Sequence, residues 1–181
     1  MNTLRIALSA LLIGSVTAQE TALNAADVYR RAFAEMSRVL RSDSDDPVDY
    51  PWIDEPSAEA YAEAPWPKLL EATAVARSLF AQASGIGPCR FDDSTGALPL
   101  GDEVQDRASD FVAMRTFVLA HAFRVAKTQP GSALADLEAL FACARHLEQQ
   151  DVLFASLLAM EMAGAALTLC DAMFAASGER P

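Results

Sequence analysis

Between Val152 and Cys170 the chain carries a single charge, Glu161, in 19 residues. Strands average about five or six residues, so a run of this length is a helix. Such a helix hides its side chains either in hydrocarbon or among other helices. Its length would cross a bilayer. Glu161 at its centre, the abundant alanine and the acidic flanks Asp151 and Asp171, with no Lys or Arg nearby, argue for protein neighbours instead. A charge at the bilayer centre costs at least ~2.5 kcal/mol on insertion scales. The expectation is a central helix, capped by Asp151 and running to about Ala176, covered on most sides, with no transmembrane span in the mature chain.

The rest of the chain has the same period. Leu23, Ala26, Phe33, Met36 and Leu40 recur at helical spacing within Glu20–Arg41, with Thr21 or Asn24 as the cap. Lys68–Ser84 is a second helix, ended by Gly85 and Gly87. Asp102–Thr128 is a third. Pro130-Gly131 breaks the chain, and Ser132 caps a fourth helix that ends near Gln149. No segment has a sustained strand period. The expected fold is an all-α bundle of about five helices, the last three in up-down order because their connections are short. Residues 19–181 read as one domain.

Met1–Ala18 reads as a secretory signal: Arg5, then the apolar run Ile6–Ser15, then small residues before Gln19. The alternative is a retained N-terminal anchor. The expected location is the periplasm or the extracellular space. With 14 basic and 25 acidic residues the net charge is −11, which repels nucleic-acid backbones and disfavours anionic membrane surfaces.

Ser42–Pro67 interrupts the helices. It holds five prolines and eight acids without a base, yet also both tryptophans. Proline removes an amide donor and pushes its predecessor out of the helical region. Disordered tails are poor in aromatic residues. The segment reads as an acidic strap, with a short helical turn near Ser57–Glu63. Its Tyr50, Trp52, Tyr61 and Trp66 either fasten it to the bundle or offer an interface to a protein or a cationic surface.

Three cysteines remain. In an up-down bundle Cys143 lies about 9 Å below the end that Cys89 occupies, and Cys170 about 28 Å below it. A disulfide needs Cα atoms within about 7 Å, so Cys89–Cys143 is the one pairing the bundle permits, three unpaired thiols being the alternative. Cys143 and His146 share a helix face, and with Cys89 and Asp92 from the loop they form a weak zinc candidate. The chemistry that set would serve is a metal- or redox-dependent envelope enzyme. Glu161 needs a cation, and Arg115 or Arg77 lies at its level, so a buried ion pair is expected. His121 and His146 stand on different helices, and no HExxH, GxSxG or phosphate loop occurs. No catalytic residue and no cofactor is indicated.

The stretches "NAADVYRRAF" (Asn24–Phe33), "PCRF" (Pro88–Phe91) and "ALADLEALFACARHLEQQDVLFASLLAMEMAGAAL" (Ala133–Leu167) together resemble exported bacterial α-helical proteins of unknown function. The resemblance implies an exported helical fold and carries over no functional residue. The expected role is therefore non-catalytic binding or scaffolding.

Overall fold

The computed structural model describes residues 23–41, 59–63, 65–91, 104, 107–150 and 153–177. Among them stand six α-helices and no strand: α1 Ala25–Arg41, α2 Trp66–Ala72, α3 Ala74–Ser84, α4 Ala108–Val125, α5 Pro130–Glu148 and α6 Leu153–Ser177. A short 3-10 turn, Ala60–Ala62, precedes α2. The fold is all-α, as the periodicity predicts. Met1–Ala18, Tyr50, Trp52 and Asp92 lie outside the described residues.

Helix starts differ from expectation for local reasons. Asn24 is the residue before α1; its Oδ1 accepts from the Ala26 amide at 3.2 Å, satisfying one of the orphan donors of the first turn. Two prolines begin helices instead of stopping them. Pro67 lies in the first turn of α2 and Pro130 in that of α5, where a missing N–H costs nothing. The Pro-rich strap is therefore already helical at Trp66. The single helix expected over Lys68–Ser84 is two, α2 and α3, meeting at Thr73. There the Thr73 hydroxyl donates to the Leu69 carbonyl at 2.7 Å, a bond that competes with the backbone ladder and bends helices.

One continuous apolar core joins all six helices. α1 packs on α3, α3 on α5, and α4 and α6 both pack on α5. α4 also touches α1, α2, α3 and α6, so α4 and α5 together form the middle of the bundle. Two aromatic groups fill the core. Tyr29 meets Phe33, Phe80, Phe91 and Phe111 with ring centroids 5.1–6.4 Å apart. Trp66 stands perpendicular to Tyr61 at 4.9 Å and lies 6.0 Å from Phe117 of α4.

α6 is not the enclosed helix the sequence predicts. Leu158, Met162 and Leu169 are buried on the side that meets α4 and α5. The opposite side carries Leu153, Leu157, Met160, Leu167 and Phe174, each between 47% and 79% exposed. Among the described residues α6 is long and apolar enough to cross a membrane, with a mean hydropathy of 1.8 over an 18-residue window of which 39% is buried.

Candidate functional site

The loop after α3 is drawn to the start of α1 by one side chain. Asn24 Nδ2 donates to the Arg90 carbonyl, and Asn24 Oδ1 also accepts from the Arg90 amide, both at 2.9 Å. The Ala25 amide donates to the Pro88 carbonyl at 2.9 Å. This clasp holds Cys89 inward, where it is buried. Gln150, just beyond α5, secures the same loop from the other side: its Nε2 donates to the carbonyls of Cys89 and His146, both at 2.9 Å.

Inside that corner Cys143 and His146, one helical turn apart on α5, meet Tyr29 of α1. The Tyr29 hydroxyl lies 3.1 Å from His146 Nδ1 and is also hydrogen-bonded to the Cys143 thiol. Tyr29 thus stands between two buried groups of α5, the His146 imidazole and the Cys143 thiol. The backbone of Ile86 lies beside His146 and partly offsets the effect of its burial. Burial keeps His146 below its ordinary pKa. Burial pushes the Cys89 thiol up to about 12 and raises those of Cys143 and Tyr29 as well.

This chemistry differs from that of the expected disulfide or metal corner. Cys89, Cys143 and Cys170 are free thiols, so the Cys89–Cys143 staple is not formed. Cys143 is instead committed to the Tyr29 hydroxyl. His146 Nδ1 is likewise taken up by the Tyr29 hydroxyl. Among the described residues no three His, Cys, Asp or Glu side chains converge as a metal site would require. A buried thiol with a raised pKa is a poor nucleophile, because the thiolate is the reactive form. The corner is a buried hydrogen-bonded network that joins α1, the loop before Phe91, and α5. Titrating the denatured protein should find three thiols; a count of one would restore the disulfide. In the native protein the partly exposed Cys170 should react first.

The same network makes stability depend on pH. Unfolded His146 takes up a proton near pH 6.5, whereas the folded residue holds off until lower pH. The unfolded chain therefore binds more protons in that window. Stability is complete above about pH 6.5 and falls as pH drops toward the folded pKa, by up to about 1.4 kcal/mol per pH unit. Urea midpoints at pH 7.5 and 5.5 should show the loss, and His146→Gln should flatten it. An equal slope in the variant would assign the effect to carboxylates.

A second set of polar groups crosses the middle of the bundle. His121 Nδ1 of α4 lies 2.6 Å from Asp136 Oδ2 of α5. Arg77 of α3 feels the Asp136 charge, but burial lowers its pKa, and its guanidinium donates to the Leu70 carbonyl at 2.9 Å. Arg115 of α4 pairs with Glu161 of α6. Arg77 and Arg115 were alternative partners for Glu161, and the pair forms with Arg115. It is not the core pair expected, because Glu161 is 63% exposed and Arg115 only 13%. Glu161 lies at the outer edge of α6, and a pair in that setting contributes about 0–1 kcal/mol.

The proposed interaction residues separate in the same way. Tyr61 and Trp66 are 2% and 1% exposed and belong to the core, so they present no interface. Five of the eight large exposed apolar side chains among the described residues lie on α6. Compared with known proteins, the chain matches no family model, no curated protein and no solved structure.

Proposed function

We propose that the chain is an exported, non-catalytic helical protein that acts by binding or scaffolding, and that it docks a helix of a protein partner on the outer face of α6. The observation that carries this reading is the stripe Leu153, Leu157, Met160, Gly164, Leu167 and Phe174. Its large side chains present on the order of 500 Å² of apolar surface, a patch size that on monomers marks an interaction site. From Leu153 to Leu167 the spacing alternates four and three residues, the heptad spacing of a seam that packs against another helix, and the exposed Asp171 interrupts it before Phe174. The buried Tyr29, His146 and Gln150 support the non-catalytic part, since their polar groups bond to other parts of the chain.

A photo-crosslinking residue at Met160 tests the reading in the producing cell, with Val75, exposed on α3, as the control. A protein adduct in the envelope fraction from Met160 alone is expected. Equal adducts from both positions, or lipid adducts alone, would overturn the docking face. An adduct confined to the cytosol would overturn export.

A further inference from the structure

We infer that the partner helix docked on α6 joins an apolar seam to a lysine or arginine that meets Asp171; this rests on the docking face proposed above. Leu153, Leu157, Met160, Gly164 and Leu167 follow the heptad spacing, and the next position of that series is Asp171. All of them are exposed. Asp171 therefore occupies a seam position, which a docked helix would cover. A single charge in an apolar seam lowers stability and selects the partner, because only an opposite charge keeps it from being buried unpaired.

The charges around the seam point to a base. Among the described residues Asp171 has no ion-pair partner. From Leu153 to Ser177 the charged residues of α6 are Glu161 and Asp171, both acidic. Glu161 is already paired with Arg115, so Asp171 is the charge left for a partner. The last turn of α6 holds no base, and its carbonyls attract a cation as well. The net charge of −11 steers a cationic partner toward the chain from a distance. The same charges disfavour other occupants. A second copy would bring another Asp171 and no base on its own α6. A bilayer would have to take in Asp171. The face from Leu153 to Asp171 runs about 27 Å, and a helix laid along it buries roughly 900 Å² counting both partners, the size of a transient contact.

Fluorescence anisotropy tests the pairing, with the full purified chain titrated into labelled helical peptides held at nanomolar concentration. Each peptide has about 20 residues, matching the length of the face. Its seam positions are Leu and the others Ala or Gln, except that both ends of the seam carry Lys, Leu or Glu, which serves either helix direction. The Lys peptide should bind in the micromolar range, and the Glu peptide about tenfold more weakly or worse. Asp171→Lys should reverse that order. Leu167→Glu should abolish binding of all three peptides with helicity unchanged. Because Leu167→Glu adds an acid, tighter binding of the Lys peptide would mean attraction by charge alone and would overturn the seam. Equal affinity of the Lys and Glu peptides, or an order that Asp171→Lys leaves in place, would overturn the pairing with Asp171. Sedimentation of the chain alone at twice its mass would give the face to a second copy. Co-sedimentation with phosphatidylcholine vesicles that Leu167→Glu abolishes would give it to lipid. Either result overturns the basic partner. If no peptide binds while the Met160 probe captures a protein, the docking face stands and the basic partner falls.

Discussion

Trp66→Ala is expected to lower stability by about 3–5 kcal/mol, the range for emptying a buried aromatic site. For a chain of this size that is a fall of roughly 10–15 °C in melting temperature. The reason is position. Trp66 is the first residue of α2, and its ring is wedged between Tyr61 of the preceding 3-10 turn and Phe117 of α4. Tyr61 in turn lies 5.9 Å from Phe123. Removing the indole opens a cavity where the acidic segment joins the bundle, so α2 and the turn loosen together. Thermal unfolding by circular dichroism is the measurement. A fall of less than about 3 °C would mean that the ring is not an anchor and would reopen its role as an interface residue.

Tyr29→Ala should have a comparable effect, about 3–5 kcal/mol, and Tyr29→Phe separates its two causes. Phenylalanine keeps the packing on Phe80, Phe91 and Phe111 and loses the hydroxyl alone. It leaves His146 Nδ1 and the Cys143 thiol without their common partner, which costs about 1–3 kcal/mol. Chemical denaturation of both variants measures the split. If Tyr29→Phe matches the unsubstituted chain, the hydroxyl network contributes nothing and Tyr29 is a packing residue only.

The parts of the fold legible in the sequence are those governed by local pattern. Apolar residues at helical spacing placed the helices, and the short connection at Pro130 made α4 and α5 antiparallel neighbours. His121 and Asp136 were findable by the same logic, since they lie at nearly equal distances on either side of that turn. Prolines misled, because Pro67 and Pro130 occupy first turns, where the rule against helical proline lapses. The Tyr29–His146 contact spans 117 residues and leaves no local trace. The exposure of α6 was hidden for a different reason. A helix that is apolar all round reads the same whether one side or every side is covered, and only tertiary placement separates the cases.

The Asn24 clasp bears on the order in which the molecule assembles. α4, α5 and α6 are consecutive and meet through short connections, so their pairing needs little loop closure and is fast. α1 is different, because Asn24 bonds Arg90, 66 residues downstream. A chain made from its N-terminus therefore completes α1 long before its partners in α3 and α5 exist. Its Tyr29 and Phe33 face must wait, uncovered, until those residues emerge. The latch at Asn24 closes late, and α1 is the segment most in need of protection during synthesis.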